Sequence, residues 1–233
     1  MISFALEARF AMQFSHWIRM ILGAVLVALT VAGCSRSAQS HFERGNAYLE
    51  KGDETAAVLE FRNAVQKDPM FAPARLKLGE LYLKRGNGGG ALAEYVRAAD
   101  LLPADVEAQL KAGSLLVAAG RAQDGLARAD KVLAIEPKNS DALVLRGMAL
   151  AGLNDLDGAI TQIQQAIALD PTASRQANLG FLQLAKGRRE EAEAAFRQAV
   201  ASDPKSVPAA VALAHSPSSC ARRTCCRRTQ TPR

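Results

Sequence analysis

Between residues 38 and 206 apolar side chains recur at helical intervals, in short segments separated by breaks rich in glycine and charge. The breaks are Lys51-Gly52-Asp53, Arg85-Gly86-Asn87, Ala119-Gly120-Arg121, Gly152-Leu153-Asn154 and Lys186-Gly187-Arg188, and each reads as a turn between two helices. The pattern predicts first helices near 38–50, 72–85, 106–119, 140–152 and 173–186. Second helices are predicted near 54–67, 88–101, 122–135, 156–169 and 189–202. Leu and Ala carry most of the apolar content and aromatic residues make up only 5%, which favours packed helices over sheets.

The segments repeat. Pro69, Pro103, Pro137, Pro171 and Pro204 are spaced 34, 34, 34 and 33 residues apart, and Gly45, Gly79, Gly113, Gly147 and Gly180 keep the same steps. Twelve residues after each glycine stands a small residue: Ala57, Ala91, Gly125, Ala159 and Ala192. Seven further on come Ala64, Ala98, Val132, Ala166 and Ala199, with Phe61, Tyr95, Ala129, Ile163 and Phe196 between the two columns. Small residues are required where two helices cross closely, and the larger column fills the space beyond. Proline cannot continue the preceding helix and so closes each unit.

Over residues 38 to 214 this resembles the tetratricopeptide repeat, a helix-turn-helix unit with that glycine, those small residues and that closing proline. The resemblance implies an all-α fold, a right-handed superhelical solenoid in which neighbouring units bury each other's faces. Five repeats follow, 38–71, 72–105, 106–139, 140–172 and 173–206, with residues 207–214 beginning a broken sixth. The third repeat is the most degenerate, with Gly125, Ala129 and Val132 where an alanine, an aromatic and an alanine are usual. In the second, Gly88-Gly89-Gly90 opens a helix at about 1 kcal/mol per glycine relative to alanine, and that turn is expected to fray.

Charge changes the picture only at the ends. The formal net charge is +6, of which residues 1–33 hold +1 and residues 215–233 hold +5, leaving acid and base balanced over the repeats. Such a surface has no field to collect phosphates, so no nucleic-acid partner is expected. The cysteines are equally terminal: Cys34, Cys220, Cys225 and Cys226. No disulfide framework staples the repeats.

Ile21 to Gly33 is an uncharged apolar run of 13 residues preceded by Arg19, too short to cross a bilayer, which needs about 20. It reads as an export signal. Val31-Ala32-Gly33-Cys34 resembles the bacterial lipobox, which implies a signal peptide over 1–33, lipidation of Cys34 at the head of a linker, 34–37, and a membrane anchor through that lipid. Ser35 in place of an aspartate implies an outer-membrane address facing the periplasm. Met12 would open a more usual signal, so the first eleven residues read as an extension.

Catalytic chemistry is not expected. Gly86-Asn87-Gly88-Gly89-Gly90 lacks the Lys-Ser or Lys-Thr of a phosphate loop. His16, His41 and His215 stand apart and form no metal set. Glu190 and Glu191 suit a helix start. No cofactor and no small-molecule substrate are implied. The resemblance implies instead a concave groove lined by first helices, with candidate partner-binding residues Phe42, Asn46 and Leu49; Leu76, Glu80 and Leu83; Leu110, Ser114 and Val117; Val144, Met148 and Ala151; Ala177, Phe181 and Leu184. Some members of the family grip an acidic C-terminal peptide with a Lys and an Asn four residues apart. Here Leu76 with Glu80, and Leu110 with Ser114, stand in those places, so an apolar or amphipathic segment, helical or extended, is the better-matched partner. Helical periodicity alone leaves open whether this stripe is groove or core between repeats.

Residues 215–233 carry five Arg, three Cys and no acid; they cannot build a core and are expected to be disordered. The abrupt change within a repeat resembles a frame disruption. The chain therefore reads as a non-enzymatic, lipid-anchored scaffold for protein partners in the bacterial cell envelope, similar to repeat lipoproteins of exopolysaccharide, sorting and pilus-assembly systems. The alternative is the N-terminal arm of a longer protein whose catalytic or carbohydrate-active domain is missing.

Overall fold

The computed structural model describes residues 37–205. The signal segment, Cys34, the broken sixth repeat and the Arg/Cys tail lie outside the described residues. Those residues form ten helices and no strand. The chain divides at Pro69 into two compact units. The first holds the hairpin of α1 (Ala38–Glu50) and α2 (Glu54–Lys67). The second holds four hairpins: α3 (Ala72–Lys84) with α4 (Gly88–Leu101), α5 (Val106–Ala118) with α6 (Ala122–Ile135), α7 (Ser140–Gly152) with α8 (Leu156–Leu169), and α9 (Ala173–Ala185) with α10 (Arg189–Ser202). Each helix agrees with its expected range to within one residue.

One turn design joins the two helices of every hairpin. Gly52, Gly86, Gly120 and Gly187 have φ of 72–79°, and Asn154 takes the same place at φ 66°, the left-handed region that ends helices. The next residue does two tasks. Asp53 closes α1 by donating its backbone N–H to the Tyr48 carbonyl, and its side chain caps α2 by accepting from the Ala56 N–H at 2.9 Å. Asn87 does the same for α3 and α4, accepting from the Gly90 N–H at 2.9 Å, so α4 starts at Gly88 despite its three glycines. The fraying expected there is opposed by this cap. Asp155 repeats the arrangement on Gly158. Arg121 and Arg188 occupy the same place without a side-chain cap.

Within a hairpin, the glycine of the first helix gives a notch for the large residue of the second. A β-carbon at Gly45 would run into the Phe61 ring, one at Gly79 would lie 2.7 Å from the Tyr95 ring, and one at Gly180 would lie 2.6 Å from Phe196. Gly147 accepts Ile163 in the same way, at 3.1 Å. The third repeat solves its degeneracy by borrowing. Ala129 leaves Gly113 uncovered, and Leu145 of the following hairpin reaches back to fill the notch, 2.5 Å from where a β-carbon would stand. At the other small position, Gly125 receives the Val117 side chain.

In the second unit the hairpins stack through α4 on α5, α6 on α7 and α8 on α9, and Leu145 brings α7 against α5. The interfaces are alanine-rich: Ala91 and Ala99 of α4 meet Ala108 and Ala112 of α5, while Ile160 and Ile163 of α8 share a cluster with Leu179 of α9. Polar clamps cross the same seams. Buried Arg175 of α9 donates to Asp141 Oδ1 at 2.7 Å and Ser140 Oγ at 3.0 Å at the start of α7, and also bonds Asp170. Burial opposes its charge, but hydrogen bonds to Asp170 and Asp141 outweigh that and raise its pKa. Arg128 of α6 reaches Asp100 of α4 at 2.7 Å.

Candidate functional site

The residues expected to line a groove fall into three columns, fixed by their distance from the glycine of each first helix. The structure treats the columns differently. One residue after the glycine, Glu80, Ser114, Met148 and Phe181 are exposed and Asn46 is half-buried. Four after it, Leu83 and Leu184 are exposed, whereas Leu49, Val117 and Ala151 are half-buried. Three before it, Phe42, Leu76, Leu110 and Val144 are half-buried and Ala177 is buried. The last column turns largely inward. Leu76 packs on the Tyr95 cluster, Val144 on the Ile160–Ile163 cluster, and Phe42 stands 5.6 Å from the Phe61 ring. The expected stripe is therefore exposed along one column and largely core along another, and Ala177 and Val117 serve packing.

In the second unit three of the four first helices, α3, α7 and α9, present large apolar side chains to solvent, as do Met70, Ile135, Leu153 and Leu169 outside the first-helix columns. Leu83 of α3 is 39% exposed, Met148 of α7 47%, and Phe181 and Leu184 of α9 45% and 44%. Phe181 is held edge-on to the Phe196 ring at 5.0 Å, so its exposed part is presented on a rigid support.

A second feature was not recognised from sequence. In the first three repeats, a polar side chain four residues before the repeat glycine bonds one nineteen residues later on the paired helix. His41 Nδ1 and Glu60 Oε2 are 2.6 Å apart, Arg75 donates to Glu94 Oε2 at 2.7 Å, and Arg128 donates to Gln109 Oε1 at 3.1 Å. His41, Glu60, Arg75 and Gln109 are all buried. The fixed spacing within the repeat frame is the signal that finds them. They are hairpin clasps: each satisfies the other's hydrogen-bonding groups inside an apolar seam.

The third feature is a small open pocket of about 190 Å³ in the second unit, lined by Leu76, Lys77 and Glu80 of α3, Tyr95 of α4, and Asp105, Glu107, Ala108 and Lys111 at and after the start of α5. Lys77 pairs with Glu80 at 3.1 Å, and Asp105 caps α5 by accepting from the Ala108 N–H. Tyr95 is 6% exposed. Burial first, then the carboxylates of Glu80 and Glu107, push its phenol above the ordinary value of 10.0. Among the described residues no group of His, Cys, Asp and Glu is arranged to hold a metal ion, and no helix is long and apolar enough to cross a membrane.

Models of the tetratricopeptide repeat match residues 110–174 and 173–206, and a model described as a TPR repeat matches residues 45–86. This chain belongs to the tetratricopeptide repeat family. The hairpins above are its repeats. Solved structures show the same fold. A thermophilic TPR protein of Thermus thermophilus is 24% identical, with 77% of this chain and 98% of that chain covered and a TM-score of 0.59. YrrB, a TPR protein with an unusual peptide-binding site, is 20% identical over 79% of this chain and 96% of its own, with a TM-score of 0.64. PilW, a widely conserved type IV pilus biogenesis factor, is 20% identical over 70% and 76%, with a TM-score of 0.59. No curated protein sequence matches this chain.

As a tetratricopeptide repeat protein the chain departs from the acidic-peptide clamp. Where the Lys and Asn of that clamp belong, α3 has half-buried Leu76 and exposed Glu80, and α5 has half-buried Leu110 and exposed Ser114, whose hydroxyl donates to the Leu110 carbonyl at 2.8 Å.

Proposed function

We propose that this chain is a non-enzymatic scaffold whose first-helix face in the second unit binds a short apolar or amphipathic segment of a protein partner. The observation that carries this reading is the row of exposed Leu83, Met148, Phe181 and Leu184 on first helices whose other faces are committed to packing. These side chains are less than half exposed, so covering what remains contributes about 1 kcal/mol each, roughly half the value of full burial, and an apolar or amphipathic segment is the ligand such anchors suit. The PilW and YrrB likenesses support a binding role of this kind. The lipobox-like Val31-Ala32-Gly33-Cys34 extends the reading: acyl chains on Cys34 hold the scaffold at a bacterial membrane, with the outer membrane facing the periplasm as the favoured address. Nucleic acids and small-molecule substrates fall outside it.

Crosslinking and pull-down from the cell envelope test the binding face. Leu83→Lys with Met148→Lys should abolish recovery of the partners held by the wild-type chain. Ile135→Lys with Leu169→Lys, at positions as exposed but on second helices, should leave recovery intact. Equal recovery by both variants contradicts the proposed face. For the anchor, Cys34→Ala should release the protein from the membrane fraction; unchanged fractionation rejects it.

A further inference from the structure

The turn that follows α10 is the one that elsewhere delivers the chain to a new first helix. Asp203 closes α10 with its backbone N–H on the Ala199 carbonyl, Pro204 and Lys205 make the turn, and the Lys205 N–H is held by Asp203 Oδ1 at 2.9 Å. Leu102-Pro103-Ala104 takes the same course between α4 and α5, and Glu136-Pro137-Lys138 between α6 and α7. In each, a residue bonded to the carbonyl four back is followed by a proline, a turn residue and the N-cap of the next helix. Ser37, Asp105, Asn139 and Thr172 hold the N-cap places. After Lys205 the sequence puts Ser206 there, a residue suited to the role.

Residues 207–214, outside the described residues, keep the frame of a first helix. Counted from the N-cap, Pro208 stands where Pro73 stands in the first turn of α3, a position that needs no N–H. Ala209 and Leu213 fall in the columns of Ala108 and Ala112 on α5 and of Ala74 and Leu78 on α3, all four buried. On α5 those columns form the face that meets Ala91, Tyr95 and Ala99 of α4. The corresponding row on α10 is Ala192, Phe196 and Val200, equally apolar. Ala214 stands at the glycine place. A glycine is needed where a large second-helix residue enters the notch, and here the place of that large residue falls on Gln230, in a stretch with no aromatic side chain. This helix has no notch to fill.

We propose that residues 207–214 dock on α10 as a lone sixth first helix, with Ser206 as its N-cap, Ala209 against Val200 and Leu213 toward Ala192. They occupy the row that an inner hairpin gives to its successor. Two turns are enough, because Ala108 and Ala112 show that the contact to α4 comes from the first two turns of α5. Pro217 ends the helix. His215 then follows Met148 and Phe181 in the column one residue after the glycine place, so the docked helix lengthens the first-helix face beyond α9.

The test uses the full chain with Cys34→Ser, Cys220→Ser, Cys225→Ser and Cys226→Ser, into which pairs of new cysteines are placed. Val200→Cys with Ala209→Cys copies the apposition of Ala99 and Ala108, where neighbouring Gln109 bonds the Ala99 carbonyl at 2.6 Å, and should oxidise within one chain. Val200→Cys with Ala210→Cys, one place out of register, should stay largely reduced, since a disulfide needs β-carbons about 3.8 Å apart. Thiol counting and non-reducing electrophoresis read both. Leu213→Asp should lower the melting temperature by about 4 °C or more, whereas Ala212→Lys, in the column of Lys77 and Lys111, should leave it unchanged. Equal oxidation of the two pairs, the behaviour of a freely moving segment, overturns the docked helix. So do disulfides formed between chains, which put a second copy on α10, and an unchanged melting temperature in Leu213→Asp. The face marked by Leu83 and Met148 is tested separately, by its own crosslinks.

Discussion

A residue in a repeat is judged by what its own surroundings demand, and the three glycines that open α4 show how sharply neighbours differ. A β-carbon at Gly88 or Gly89 meets nothing within 4 Å, whereas one at Gly90 would lie 2.7 Å from the Asn87 amide and 3.0 Å from Tyr82. Gly88→Ala and Gly89→Ala should each stabilise the protein by about 0.4–1 kcal/mol through the unfolded chain. Gly90→Ala should destabilise it, because it displaces the capping side chain. Thermal melts of the three single variants read the difference, and a gain at Gly90 would refute the cap. Tyr95 gives a pH signature at the same scale. Its phenol is raised by burial and by Glu80 and Glu107, so the folded state holds the proton more tightly than the unfolded chain. The resulting stability is present below the ordinary value of 10.0 and lost as pH rises through the folded value. Alkaline denaturation should therefore be shallower in Tyr95→Phe than in the wild type.

At the scale of the helix and hairpin, most of the architecture was legible because it depends on local chemistry that recurs. A left-handed glycine or Asn154, followed by an aspartate or asparagine cap, marks a turn whatever lies beyond it. What sequence did not disclose depends on neighbours distant along the chain. The third repeat is the most degenerate, with Ala129 where an aromatic is usual, yet Leu145 supplies the missing volume from the next hairpin. Leu145 is 3% exposed, and Leu145→Ala should cost about 2–5 kcal/mol by emptying the notch over Gly113. Chemical denaturation measures this loss, and a cost below about 1 kcal/mol would show the third hairpin holding itself together. The clasps His41–Glu60, Arg75–Glu94 and Gln109–Arg128 escaped notice for a related reason. Their members differ from repeat to repeat, and the fourth and fifth repeats, with Leu143 and Gln176 at that position, have no such clasp.

Over the whole molecule, function is less legible than fold because a solenoid uses one helical period for two purposes. The same spacing that places Leu76 and Val144 against the core places Met148 and Leu184 in solvent, and the difference between them is set by which hairpin packs alongside. The acidic-peptide clamp could be dismissed from sequence, since it needs named residues at named positions. The Tyr95 pocket could not be seen, since α3, α4 and α5 build it jointly. The binding surface is tested most directly by placing a photo-crosslinking phenylalanine analogue singly at Met148 and at Leu169, both 47% exposed, and irradiating intact cells. Discrete adducts from position 148, with none from position 169, are the expected result. Adducts from 169 and none from 148, or the same adducts from both, would contradict a partner held on the first-helix face.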